Sequence, residues 1–159
     1  MGLFGNSSPV SRELVNAFND AYARRDVAAL ESLLDDNAHW LITGPVDLLH
    51  YCGERRGNKA VLELVGRISA EQTRFIRFEP EKILIEGDCA STLCRLTGQR
   101  TADGRVIGFR VAQFMRFRKN KVVDYCSVID SFDAAEQVLG HSIALPAAQP
   151  VRHDAVVAV

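Results

Sequence analysis

Most features that announce a particular chemistry are missing from this sequence. The four cysteines, Cys52, Cys89, Cys94 and Cys126, form no CxxC pair and have no histidine at zinc-finger spacing. They read as small buried hydrophobes of a reducing compartment rather than as a nucleophile or a metal set. The formal net charge of −1 supplies no general attraction to nucleic acid or to an anionic membrane. No apolar run approaches the ~20 residues that cross a bilayer, and the first residues lack a signal-peptide pattern, so a cytoplasmic chain with no membrane partner is expected. A Gly-rich phosphate loop, a metal-ligand cluster and a spaced Ser/His/Asp set are also missing, so neither a cofactor nor a metal is expected.

What is present is an ordinary globular composition, 47% apolar and 25% charged over 159 residues, which suits one domain. That domain is placed at residues 1–140, followed by an extended or mobile tail at 141–159 in which no apolar period survives. Ser8 and Pro9 suit a helix start, and Val10, Leu14, Phe18 and Tyr22 then recur every four residues as one apolar stripe. Asp26 caps a second, shorter helix that turns Leu30, Leu33 and Leu34 inward. A short strand runs from Ala38 to Thr43 and stops at Gly44-Pro45. After a loop through His50 and Tyr51, Asn58 caps a third helix with Val61, Leu62, Val65 and Ile68 on its buried side. From Thr73 the pattern changes to strands, with a break at Pro80, and Ser131 caps a last short helix that runs through Leu139 and ends at Gly140.

The densest strand signal lies between Ala90 and Ser131, which reads as three antiparallel strands. Ala102-Asp103-Gly104 suits a three-residue hairpin loop with Gly104 left-handed, which pairs Arg95 with Val111 and Leu93 with Gln113. Arg118-Lys119-Asn120 is read the same way, since a two-residue turn would force a positive φ on Lys119; Gln113 then pairs with Tyr125 and Val111 with Ser127. Opposed residues share a face. Arg95, Thr97, Phe109, Val111, Gln113, Met115, Tyr125 and Ser127 thus fall on one mostly apolar face, while Arg110, Arg116, Arg118 and Asp124 fall on the other. Helices must cover the apolar face, so the fold class is α+β: a cone-shaped, curved antiparallel sheet under three N-terminal helices.

The segments Phe18 to Asp26, Trp40 to Pro45, Tyr51-Cys-Gly53, Gly57 to Val61, Met115 to Val122 and Ile129-Asp130 together resemble a SnoaL-like protein of the nuclear transport factor 2-like superfamily. Ketosteroid isomerases and limonene epoxide hydrolases are related to it, and the resemblance covers about residues 10 to 140. It implies a pocket between the concave sheet face and the helices, and a homodimer. The isomerases use a carboxylate on the first short strand and a helix Tyr; Ile42 or Thr43 and Phe18 stand at those places. The hydrolases hold water with an Arg and two carboxylates; Arg95 matches the Arg, while Thr97 and Ser127 stand at the carboxylates. Neither mechanism transfers intact.

The residues themselves leave a set of candidates. Arg95 on an apolar face is either a fixed cation for a ligand carboxylate, enolate or phenolate, or a structural partner of a helix carboxylate. His39 and His50 are the candidate proton-transfer groups. Tyr22, Phe18, Trp40, Thr97, Phe109, Val111, Gln113, Met115, Tyr125 and Ser127 are the candidate pocket lining. Three functions fit: a cofactor-independent isomerase, cyclase or hydratase acting on a small lipophilic molecule, a binding protein with the same pocket, or an interaction scaffold. Phe114 and Ala112 among arginines make the outer face the expected dimer contact.

Overall fold

A computed structural model describes residues 9–144 of the chain. The proposed helix cap at Ser8 and nearly all of the expected tail lie outside these residues. Helix α1 (Arg12–Arg24) starts three residues later than the sequence suggests, because the Ser11 side chain accepts from the Leu14 N–H and so caps it. Asp26 caps α2 (Val27–Leu33) as expected, accepting from Ala29 N–H. The chain then passes directly into β1 (Leu34–Ile42) and, after a loop, β2 (Gly53–Arg56), a strand within the segment expected to be irregular. Helix α3 (Asn58–Glu63) continues through one wide π turn (Leu64–Ile68) into α4 (Ser69–Gln72). Four long strands follow: β3 (Thr73–Glu86), β4 (Cys89–Arg100), β5 (Val106–Arg118) and β6 (Lys121–Ile129). Helix α5 (Ser131–Leu139) is capped by Asp130, which accepts from the Asp133 N–H, and not by Ser131 as expected; left-handed Gly140 ends it.

The six strands form one curved sheet in the order β2-β1-β6-β5-β4-β3. Every pair is antiparallel except β1 with β6, which is parallel. The helices cover one face, and the core lies between: Phe18 and Ala21 from α1, Leu30 from α2, Val61 and Leu64 from the third helical segment, and Trp40, Phe109, Met115 and Tyr125 from the sheet are all buried. The edge strand β3 is broken twice in register, beside Phe75 and beside Pro80, and carries charges along much of its length. Both features discourage further strand pairing.

The two hairpins differ from the sequence reading in opposite ways. At the first, Arg100 pairs with Arg105 around the four residues Thr101 to Gly104, so Arg95 faces Arg110 and Leu96 faces Phe109. That is one residue away from the expected register, and it turns β4 over. Gly104 is left-handed as expected (φ 72°). At the second, Lys119 (φ 50°) and Asn120 (φ 60°) form the two-residue turn judged unfavourable, and a bulge at Arg116/Phe117 follows. Gln113 therefore pairs with Ser127, and Met115 with Tyr125. This shift is by two residues, so the expected faces of β5 and β6 survive.

Candidate functional site

Among the described residues an apolar cavity opens between the sheet and the third helical segment; it encloses about 30 Å³ and bounds about 520 Å³ when the open solvent at its mouth is counted. Sheet walls come from Leu96, Phe109, Val111, Ser127 and Ile129, with Ile42 from β1. The helical wall is Leu64, Val65 and Ser69, presented by the π turn and the residue after it, where the widened backbone spreads side chains apart. Tyr22 from α1, Tyr51 from the loop, and Thr73, Phe75 and Phe78 from β3 complete it. The walls are mainly apolar, and their polar side chains are hydroxyls alone: Tyr22, Tyr51, Ser69, Thr73 and Ser127.

Of the expected lining, Tyr22, Phe109, Val111 and Ser127 reach this cavity. Gln113, Met115 and Tyr125 lie on the predicted sheet face and Phe18 and Trp40 pack with them, all nearly or fully buried and none in the cavity lining. Trp40 stacks on Tyr125 with ring centroids 3.6 Å apart, and Phe18 and Tyr22 pack around the pair. Thr97 does not reach the cavity. It belongs to a groove on the outer face with Arg95, Gly108 and Arg110.

Arg95 is the main correction. Its side chain is 53% exposed on the outer face, where its Nε lies 2.9 Å from Glu81 Oε1 and Arg110 Nε lies 3.1 Å from Glu81 Oε2. It lines no part of the cavity and pairs with a strand carboxylate rather than a helix one; β4 carries it away from the core because its register is one residue off. His39 also faces outward, since Trp40 beside it points in. Its Nδ1 lies 2.9 Å from Asp124 Oδ1 and its Nε2 3.0 Å from Glu54 Oε1. His50 is exposed on the loop, and the Arg55 guanidinium donates to its carbonyl. Neither histidine touches the cavity.

Behind the cavity runs a buried polar chain that the sequence did not announce. Cys94 Sγ donates to Gln113 Oε1 over 3.5 Å, and Gln113 Nε2 donates to the Tyr125 hydroxyl over 2.8 Å. Tyr22 and Ser127, both in the cavity wall, neighbour Tyr125: the Tyr22 and Tyr125 rings lie 6.3 Å apart, and Ser127 follows Tyr125 on the same face of β6. Cys94 enters the chain because the shifted register points it inward. Burial keeps these groups protonated: the Tyr22 hydroxyl is pushed up to about 12, that of Tyr125 well above its ordinary value, and the Cys94 thiol to about 12. Burial likewise raises Tyr51, and raises Cys52 to about 11.

Arg25 is the cation that sequence reasoning missed. It ends α1 in the left-handed conformation (φ 53°), and its guanidinium lies 4.1 Å from the centre of the Phe75 ring. One terminal nitrogen donates to the Ser69 and Thr73 carbonyls, at 3.2 and 2.6 Å, and so caps the end of the helical segment that lines the cavity. Among the described residues no carboxylate pairs with it, and burial lowers its proton affinity against the opposing influence of Tyr22 and Tyr51. The sequence signal was slight: an arginine at a helix end, just before the next helix cap.

The described residues hold no group of three or more His, Cys, Asp or Glu side chains placed to hold a metal ion. None of their helices is long and apolar enough to cross a membrane.

A curved sheet roofed by helices around an apolar, hydroxyl-lined cavity defines an architecture rather than a particular reaction. Residues 15–125 match the SnoaL-like domain family, and the chain belongs to that family. It is similar to a Rhodopseudomonas palustris protein provisionally described as an isomerase, with 30% identity, a TM-score of 0.76, and coverage of 83% of this chain and 100% of that one. An NTF2-like protein from Burkholderia xenovorans shares 22% identity at a TM-score of 0.69, over 79% of this chain and 93% of its own. An epoxide hydrolase of M. tuberculosis resembling limonene epoxide hydrolases shares the fold at 16% identity and a TM-score of 0.65, over 80% and 88%. No curated protein matches the chain.

Proposed function

We propose that this chain is a small-molecule pocket protein that takes a lipophilic molecule by a carbonyl or phenol oxygen, with the Tyr22 hydroxyl as the group that meets it. The observation that carries this reading is the cavity lining: apolar walls whose polar side chains are all hydroxyls. A ligand carboxylate loses its support once Arg95 is on the outer face. A preorganised hydroxyl in a dry site donates strongly to a carbonyl oxygen and stabilises negative charge developing there. With Tyr22 held up at about 12, the site offers a donor and no base at neutral pH.

Turnover of an isomerase, cyclase or hydrolase type is a second reading, favoured by the similarity to the Rhodopseudomonas palustris protein. It would proceed by polarising the substrate oxygen while water or the substrate itself takes the proton. Calorimetric titration with small aromatic ketones and phenols tests the pocket. Tyr22→Phe should weaken such ligands by about 1 kcal/mol, the worth of one hydrogen bond, and leave the fold intact. Unchanged affinity would remove Tyr22 from the site. Incubating the ketones in heavy water separates the two readings, because only turnover speeds exchange of the protons beside the carbonyl.

The expected homodimer is proposed through the outer sheet face. Leu84, Phe114 and Val128 are 58%, 51% and 45% exposed there, and the charges of Arg95, Arg110, Glu81, Arg116 and Asp124 surround them. An apolar centre with a charged rim is the anatomy of a protein interface. No nucleic-acid partner is proposed.

A further inference from the structure

We infer that the groove on the outer face of the sheet is a second binding site, one that takes the oxyanion of a small molecule, a carboxylate or phosphate group, between Arg95 and Arg110. It lies on the side of the sheet opposite the cavity and does not rest on the reading of that cavity.

The register of β4 creates it. Arg95 and Arg110 stand directly opposite each other on neighbouring strands, a relation in which like charges repel. One group from β3 bridges them: Glu81 Oε1 lies 2.8 Å from Arg95 Nη2, and Glu81 Oε2 lies 3.1 Å from Arg110 Nε. Each carboxylate oxygen is thus given to one guanidinium. The Glu81 side chain is 27% exposed, against 53% and 61% for the arginines, so the counter-charge sits inside and the two cations outside. Among the described residues no other carboxylate pairs with either arginine, and the neighbouring Glu79 is taken by Arg77. Two cations on one anion leave one positive charge uncompensated at the groove.

The shape agrees with the charge. Beside the arginine pair, Thr97 faces Gly108. Gly108 has no side chain, so the outer surface is depressed there, and the groove bounds about 630 Å³ when the open solvent at its mouth is counted. A Cβ on Gly108 would come within 3.2 Å of the Leu96 carbonyl oxygen and 3.7 Å of Thr97 Oγ1. The Gln137 side chain accepts from the Gly108 N–H and donates to its carbonyl, so the backbone of the floor is already satisfied. A ligand's partners are then side chains: two guanidiniums and the Thr97 hydroxyl, with no carboxylate in the lining. Guanidinium forks match the paired oxygens of a carboxylate or phosphate. Arg110 is four residues from Phe114, roughly 13 Å along β5, so this groove and the apolar centre of the outer face are separate patches.

The test titrates the whole, isotopically labelled protein with sodium acetate and, separately, sodium phosphate, against sodium chloride of matched ionic strength. The Nε–H signals of Arg95 and Arg110 and the amide signals of Thr97 and Gly108 should shift and saturate with an oxyanion and not with chloride. Half-exposed cations are screened by water, so saturation is expected in the millimolar range. The anion that saturates the signals distinguishes a carboxylate from a phosphate as the group that is taken. Arg95→Met and Arg110→Met should each weaken it by about tenfold, the size of one charge-assisted hydrogen bond, because each leaves Glu81 with one partner and no surplus charge. Arg118→Met removes the same charge roughly 27 Å further along β5, beyond a Debye length, and should change little. Glu81→Gln keeps both guanidiniums and removes the counter-charge, so affinity should rise severalfold. If an arginine variant fails to fold, the wild-type titrations and Glu81→Gln still decide. The site is overturned if neither oxyanion saturates, or if chloride gives the same shifts. It is equally overturned if Arg118→Met weakens binding as much as Arg95→Met, or if Glu81→Gln binds no more tightly than the wild type.

Discussion

Arg95 and Tyr22 show how much hangs on which way one side chain points. A guanidinium turned into an apolar cavity would need an anion, whereas the same group 53% exposed beside Glu81 is solvated and screened. Arg95→Met should therefore leave both the melting temperature and the affinity for aromatic ketones nearly unchanged. Thermal melting and calorimetry check this, and a large loss in either would return Arg95 to the pocket. Tyr22 gains in importance because it lines the cavity and carries a hydroxyl, while Phe18 one turn earlier does neither. Phe18 instead packs against Trp40 and Tyr125 in the dry core.

At the level of elements, the two hairpins hold the argument. The β4–β5 loop takes four residues because tertiary contacts pull Thr101 out of the ladder. Its N–H donates to the Gln72 carbonyl, its hydroxyl to the Glu71 carbonyl, and Arg100 reaches the Val138 carbonyl. The β5–β6 turn tolerates left-handed Lys119 because packing beyond it sets the register: Phe117 opposite Val122 and Tyr125 opposite Met115 are all buried. A lysine there costs conformational energy that Asn or Gly would not. The double change Lys119→Asn with Asn120→Gly should stabilise the fold by about 1 kcal/mol, measured as a higher denaturant midpoint with an unchanged slope. A lower midpoint would mean that Lys119 contributes more through its contacts than its backbone costs.

For the molecule as a whole, the sheet divides two tasks between its faces. The inner face builds the cavity and the polar chain behind it, and the outer face carries the ionic groups and the exposed apolar centre. If the outer face joins two copies, placing a charge at its centre should part them. Phe114→Glu should convert a dimer into a folded monomer with its ketone affinity retained, as read by light scattering coupled to size exclusion and by calorimetry. A wild-type monomer at micromolar concentration would refute the interface outright.

The sequence by itself determined the helices, the order of the long strands, the family resemblance and the facing of β5 and β6. These follow from local rules: apolar residues every three to four positions, caps at Asp26 and Gly140, and the two-residue period of a strand, which hairpin pairing carries from β5 to β6. An error of two residues at the second turn could not disturb that facing. Only the tertiary structure decided the facing of β4, because a loop of three or four residues with Gly104 left-handed is equally good chemistry locally. The choice was made by Gln72, Glu71 and Val138, residues distant in sequence that bind the loop and its base. That single residue of register moved Arg95 out and Cys94 in. It replaced an expected charged site with a neutral one built from hydroxyls.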